Sequence, residues 1–297
     1  MRSQNVALVT GGTGFIGSNL IRGLIYNGWS VHAIVRPKSS LKSLMPFIYG
    51  VNIHEHDGST ENLVAIVAAL KIDVVFHLAS TFLSDHGAEN IEPLIQSNVL
   101  FGNQLLEAMR INDVKCIVNT GTSWQHYNNE TYNPVCLYAA TKQAFEAILE
   151  YYIKACKFQV ITLKIFDTYG PNDPRKKLFY FLHEAAESGI PLNMSAGEQL
   201  IDLVHINDVV EAYLIASKFL LEKKITQHEY FSVSSGQALQ LRQLVEFYAT
   251  VMCKDIKVNW GGRPYRLREV MMPWTKGNFL PDWRPKTSLK DGISQLI

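Results

Sequence analysis

Tyr138 and Lys142 stand four residues apart in Tyr138-Ala139-Ala140-Thr141-Lys142, inside a stretch of helical patterning. That spacing sets both on one helix face, one turn apart. An ammonium beside a phenol favours phenolate, so a tyrosine with an ordinary pKa of about 10 is brought within reach of proton exchange near neutrality. Such a phenol is a general acid for a carbonyl undergoing reduction. Thr122 closes a predicted strand, where its hydroxyl can donate to the same substrate oxygen, and Ser123 beside it is the substitute. The other use for both hydroxyls is to cap the turn.

A second constellation is Thr10-Gly11-Gly12-Thr13-Gly14-Phe15-Ile16-Gly17, which follows the apolar run Val6-Ala7-Leu8-Val9 and opens a helical pattern at Ile16, Leu20, Leu24 and Ile25. The run from Gly12 to Gly17 satisfies G-x-G-x-x-G: one glycine for the tight turn, one for close approach of backbone to a pyrophosphate, one to pack helix on strand. Backbone at Gly11, Gly14, Phe15, Ile16 and Gly17 is therefore the expected cradle of a dinucleotide, aided by the helix amino end.

These groups need elements to hold them. Further short, β-branched runs lie at Val31–Val35, Val51–His54, Ile72–Leu78, Lys115–Thr120 and Gln159–Ile165, with helical patterns over Glu61–Leu70, Glu92–Met109 and Tyr138–Lys154 between them. Strands alternating with helices predict an α/β fold, a doubly wound parallel sheet of Rossmann type, with ligands beyond the strands' carboxyl ends. There the glycine loop, Leu78-Ala79-Ser80-Thr81 and Thr120-Gly121-Thr122-Ser123 converge. The turn-rich Tyr169–Pro174 marks departure into a smaller α/β substrate lobe. Residues 1–166 form the expected dinucleotide-binding domain, with returns at about 203–234 through Leu203–Ile206, the helix Asn207–Phe219 and the strand Tyr230–Val233. Residues 167–202 and 235–297 form the lobe.

Composition narrows the function classes. A net charge of +1 and 19% charged residues give no general field for nucleic acid or an anionic membrane, so neither is an expected partner. Cys116, Cys136, Cys156 and Cys253 form no C-x-x-C pair, and His54, His56, His126 and His183 show no ligand spacing; reduced thiols and no metal are expected. No apolar run reaches the roughly 18 residues of a membrane helix, and the chain enters its first strand almost directly; a cytoplasmic protein without a leader is expected.

Several motifs together resemble the extended short-chain dehydrogenase/reductases that act on nucleotide sugars. They are the glycine loop, Phe76-His77-Leu78-Ala79, Asn98-Val99 leading to Gly102, Tyr138-x-x-x-Lys142, Tyr169-Gly170-Pro171, Val204-His-Ile-Asn-Asp-Val209 and Trp283-Arg-Pro-Lys-Thr287. The resemblance spans nearly the whole chain. It implies a triad of Thr122, Tyr138 and Lys142, in which lysine also holds the nicotinamide ribose and threonine orients the sugar's oxygen. It further implies cofactor contacts at Asp57 and Gly58 on the adenine edge, at Leu78, Ala79 and Ser80, and at Phe166. Substrate contacts are implied at Thr81, Ser123, Trp124, Asp167 and Arg266, and a homodimer through the helices at Glu92–Met109 and Tyr138–Lys154.

Departures from the family pattern refine the reaction. NAD-using relatives carry an aspartate after the second strand, whereas here Val35 is followed by Arg36, with Lys38, Ser39 and Ser40 nearby. A guanidinium binds the extra phosphate of NADP that a carboxylate repels, so NADP(H) is the expected cofactor; the plain alternative for Arg36 is a solvated loop charge. Dehydratases of the family place Asp-Glu after the triad threonine, and Ser123-Trp124 cannot do that acid/base work. Asp167 stands for a diphosphate-facing asparagine, where a carboxylate is unfavourable unless paired, and Ile201 stands for an arginine. Arg266 is the first candidate for the diphosphate, with Arg263 and Arg268 in reserve, while His205 and Asp208 are expected to organise the lobe junction.

The expected function is NADPH-dependent reduction of the 4-keto group of a CDP- or dTDP-linked 4-keto-6-deoxyhexose or 3,6-dideoxyhexose, for deoxysugar and O-antigen synthesis. Thr122-Ser-Trp-Gln-His-Tyr127 is similar to the abequose and paratose synthase branch. Two other readings stay open: a redox-neutral epimerase holding NAD tightly, and a non-catalytic dinucleotide sensor.

Overall fold

The computed structural model describes residues 4–225 and 228–296. In chain order the strands are β1 (Val6–Thr10), β2 (Ser30–Val35), β3 (Val51–Glu55), β4 (Val74–His77), β5 (Cys116–Thr122), β6 (Gln159–Ile165), β7 (Asp167–Tyr169), β8 (Leu192–Met194), β9 (Leu200–Ile201), β10 (Leu203–His205), β11 (His228–Val233), β12 (Leu239–Gln240) and β13 (Val258–Trp260). The helices are α1 (Phe15–Tyr26), α2 (Thr60–Ala68), α3 (Ile91–Ile95), α4 (Phe101–Ile111), α5 (Leu137–Cys156), α6 (Leu178–Ser188), α7 (Ile206–Leu221), α8 (Leu241–Met252) and α9 (Leu289–Ser294).

Among these residues the main sheet has seven parallel strands in the order β11-β6-β5-β4-β1-β2-β3. This is the doubly wound α/β sheet expected from the alternation. Successive side chains of a strand point to opposite faces, and the core divides accordingly. Ala7, Val9, Val74, Phe76, Ile161 and Leu163 face α1 and α7, whereas the alternate Leu8, Val75 and Val160 face α2, α4 and α5. Burial on both sides explains why the strands read as unbroken apolar runs. A third cluster, around Leu182, Met194, Leu241 and Tyr248, holds the smaller lobe together.

Two expected elements differ. The helix expected over Glu92–Met109 is broken by a π-helical turn at Gln96–Leu100 between α3 and α4, which turns Asn98 into the interior. There its Oδ1 accepts from Thr81 N at 2.7 Å and its Nδ2 donates to Thr141 Oγ1 at 2.9 Å, tying the loop after β4 to α5. One-turn π-bulges occur often at functional sites. The run Leu203–Ile206, expected among the returns to the first domain, does not join the main sheet: β10 pairs with β7 in a separate two-stranded ladder, while its Val204 packs in the same core cluster as α7 and β11. Other boundaries move by one or two residues.

The junction of the two parts is fixed at Asp208. Its carboxylate accepts from the amides of Lys286 and Thr287 at 3.0 and 3.1 Å, and its carbonyl accepts from Trp283 Nε1 at 2.9 Å. His205 caps α7 by accepting from Asn207 N at 3.3 Å. Asp208 thereby ties α7 to the Trp283–Thr287 stretch, while the His205 bond is local to the start of α7. Among the described residues no helix is long and apolar enough to cross a membrane.

Candidate active site

The carboxyl ends of β1 and β4 are stitched together by Thr10, whose hydroxyl lies 2.9 Å from His77 Nδ1 and accepts from Ala79 N at 3.2 Å. Gly11 then turns with φ +71°, and a Cβ on it would sit 2.6 Å from Ala79 N; only glycine fits. A Cβ on Gly17 would collide with the Gly11 carbonyl, which is how the loop closes on its helix. α1 starts at Phe15 with Gly14 as its cap, with no side-chain acceptor and no acidic residue in its first turn. Its leading amides therefore remain available to an anion, and they open onto a cleft lined by Gly11, Gly14, Phe15, Ile16 and Gly17. An uncapped helix end over a glycine cradle fits a dinucleotide pyrophosphate.

The opposite wall comes from β5 and α5. Thr122, Tyr138 and Lys142 all line this cleft, with Leu78, Ser80 and Phe166. Tyr138 hydrogen-bonds with the hydroxyls of Ser80 and Thr122. Phe82 packs edge-on against the Tyr138 ring, centroids 4.9 Å apart. Thr122 Oγ1 accepts from Trp124 N at 3.3 Å, so its proton points toward the Tyr138 phenol rather than into the turn.

The electrostatics differ from the expectation in one respect. Burial pushes the Tyr138 phenol above its ordinary value, outweighing the hydrogen bonds from Ser80 and Thr122 that pull the other way. The desolvation acts on the lysine as well. Burial brings Lys142 down to about 8, against support for its charge from Glu146.

Beside the cleft, and sharing Ser123, Trp124, Phe166 and Asp167 with it, lies a recess that also includes Arg266. Asp167 pairs with Lys177 Nζ at 3.4 Å, so this carboxylate has the cation that a place near a diphosphate demands. Arg266 stacks over Trp124 at 5.2 Å and gives Nε and Nη2 to Glu269 at 3.1 and 2.7 Å. Its Nη1 carries no bond among the described residues. Of the reserves, Arg268 stacks over Tyr127 and bonds to Asn133, outside the recess lining, and Arg263 is exposed beyond it.

Some expected residues do not line the cleft. Ala79 lies behind Gly11, and the Thr81 backbone is held by Asn98, so Phe82 fills the place expected of Thr81. Arg36, Lys38 and Ser39 follow β2, and Asp57 and Gly58 follow β3, at the same end of the sheet but outside the lining. Asp57 Oδ1 accepts from Ser59 N and Oγ at 2.8 and 2.7 Å, which holds its carboxyl below the usual range. Gly58 O accepts from Gln104 Nε2 at 2.9 Å.

Conversely, Arg175 and Lys177 line the cleft although no motif or spacing points to them. Arg175 stacks 4.5 Å above the Phe15 ring, donates to Asp173 at 2.7 and 2.6 Å, and reaches Thr168 O at 2.8 Å. The lobe thereby places a cation over the amino end of α1.

A sequence profile described as the NAD dependent epimerase/dehydratase family matches residues 7–227. The chain is 28% identical to CDP-abequose synthase of Yersinia pseudotuberculosis, over 98% of each chain. It is 25% identical to CDP-abequose synthase of Salmonella muenchen, over 98% of this chain and 96% of that one. The crystal structure of UDP-glucose 4-epimerase from Thermus thermophilus, in complex with NAD, superposes with a TM-score of 0.81 at 24% identity, covering 98% of this chain and 97% of that one. With a family profile matched along most of its length, and with the glycine loop, Tyr138 and Lys142 set around one cleft, this chain belongs to the NAD dependent epimerase/dehydratase family.

Proposed function

We propose that this chain uses NADPH to reduce the 4-keto group of a CDP- or dTDP-linked 4-keto-6-deoxyhexose or 3,6-dideoxyhexose. One observation carries the reading: Thr122, Tyr138 and Lys142 share a cleft with the uncapped end of α1, while Ser123 and Trp124 follow Thr122 where an elimination would need an acid and a base. The similarity to CDP-abequose synthases supports the 4-keto substrate.

Bound at the glycine loop, a reduced nicotinamide would supply the hydride. Tyr138 delivers the proton to the C4 oxygen, and the Thr122 hydroxyl beside the phenol holds that oxygen. Lys142, almost fully buried, supplies charge beside the phenol and would hold the ribose. Arg36 would hold the 2′-phosphate. Arg266 offers Nη1 to the diphosphate, and Trp124 and Phe166 exclude water from the sugar. Exposed Ile91, Ile95 and Leu100 on the α3–α4 side and Tyr151 on α5 support a homodimer through these helices.

Mixing the protein with NADPH and a dehydratase-generated CDP- or dTDP-4-keto sugar is expected to consume the reduced-nicotinamide absorbance. Absence of consumption with every such sugar would defeat the reading. A preparation that retains bound NAD and interconverts sugars without net turnover is the redox-neutral epimerase.

The pH profile carries its own sign. Lys142 loses its proton as pH rises through about 8, so the ammonium that supports the phenol is present below that value and absent above it. Log kcat/KM should be level near neutrality and decline with unit slope above about pH 8. A profile flat to roughly pH 10, the ordinary range of a lysine, would exclude a Lys142 ammonium that is lost near pH 8.

A further inference from the structure

We propose that Glu146 and Lys164 act together as a charge-setting pair for Lys142, and so are positioning residues for the chemistry of Tyr138. The inference rests on the reading of Tyr138 and Lys142 given above.

Tyr138, Lys142 and Glu146 occupy successive turns of α5, in the spacing that brings side chains of one helix face together. The Glu146 carboxylate receives two bonds from Lys164 Nζ, both 2.8 Å, delivered from β6. Both side chains are sealed, 2% and 3% exposed. They also stand directly behind the triad threonine. A Cβ on Gly121, the residue before Thr122, would lie 2.7 Å from Lys164 Cδ, 3.0 Å from Glu146 Oε1 and 3.1 Å from Gln125 Oε1. Gln125 Oε1 in turn accepts from Thr122 N at 3.0 Å.

A sealed ion pair is a poor device for stability, because desolvating two charges costs about what their attraction returns, and an apolar pair of like volume is often as good. Its position explains it better. The groups facing Lys142 are Tyr138 and Glu146 on its own helix, His77 from β4 and Lys164 from β6. His77 is kept neutral: burial and the nearby Lys142 bring it to about 3. Burial lowers Lys142, and two opposed neighbours then adjust its charge. Glu146 favours the ammonium and Lys164 disfavours it. Bound to each other, they leave Lys142 charged near neutrality yet able to lose its proton a little above it.

The test follows the 13Cε resonances of lysine-labelled protein through a pH titration, with Lys142 assigned by its loss in Lys142→Met. No sugar or cofactor is needed. Glu146→Gln is expected to move the Lys142 midpoint down by about one pH unit or more, and Lys164→Met to move it up by a similar amount. The double variant returns it close to the wild-type value. A purely structural role predicts loss of thermal stability with the midpoint unmoved. Midpoints that stay put, or that move the same way in both single variants, overturn the proposal. If one single variant does not fold, the sign of the other decides. Opposed shifts without NADPH turnover on any keto sugar would remove the substrate reading and keep this one; turnover without opposed shifts would do the reverse.

Discussion

Tyr138→Phe is expected to lower kcat by about 10²- to 10⁴-fold, the usual contribution of a positioned general acid. NADPH affinity, measured by quenching of tryptophan fluorescence, should stay near the wild-type value. The reason lies in what the hydroxyl touches. It bonds with Ser80 and Thr122, both neutral and both lining the cleft, while the ring keeps its edge contact with Phe82. Loss of one oxygen therefore leaves the packing and the glycine loop alone and removes only the proton source. Because burial raises the phenol's affinity for its proton, the tyrosine is held as the phenol, the form the proposed reduction requires, rather than as a standing phenolate. A variant with undiminished turnover would place the proton donor elsewhere.

Arg36→Asp should invert the cofactor preference. Arg36 is exposed and has no acidic partner among the described residues, so its donors are uncommitted. The turn that carries it is nonetheless fixed. Ser39 N donates to Arg36 O at 3.1 Å, Lys38 takes a left-handed φ of 62°, and Ser43 Oγ reaches Thr13 O in the glycine loop at 2.9 Å. A hydrogen bond to a charged group contributes about 1.5–3 kcal/mol. Its loss corresponds to roughly 10- to 150-fold in affinity, and a carboxylate facing a phosphate adds repulsion. The ratio of kcat/KM for NADPH over NADH should fall by at least about 100-fold, with thermal stability little changed, as befits an exposed site. An unchanged ratio would leave Arg36 a solvated loop charge.

The parts of this molecule legible from sequence are those in which local pattern and tertiary role coincide. The glycine loop, the apolar strands and the Tyr138–Lys142 spacing each encode their geometry within a few residues. Arg175 is invisible there because its place over Phe15 depends on how the chain runs between β7 and α6, and a turn rich in proline and asparagine records only that a turn exists. The π-helical turn is hidden for a related reason: it keeps apolar residues near the helical period while rotating Asn98 inward, so the pattern reads as one helix. Leu203–His205 looks like any other buried strand, and an apolar run does not name its pairing partner. The direction in which Tyr138 is shifted depends on how much water the surrounding chain removes, a quantity that spacing does not contain.

The order of the main sheet also bears on how such a protein can be divided. β11 and α7 are supplied by chain that follows an excursion through the smaller lobe, yet β11 forms the outer edge beside β6 and α7 covers one face of the sheet. A fragment ending near residue 166 would carry every glycine-loop residue and both Tyr138 and Lys142, but it would bare the β6 edge and the apolar face beneath Tyr213 and Phe219, inviting intermolecular strand addition. The two parts are therefore not interchangeable modules. Exchange of sugar preference between relatives would require grafting discontinuous stretches on either side of a retained α7–β11, rather than joining one front half to another back half.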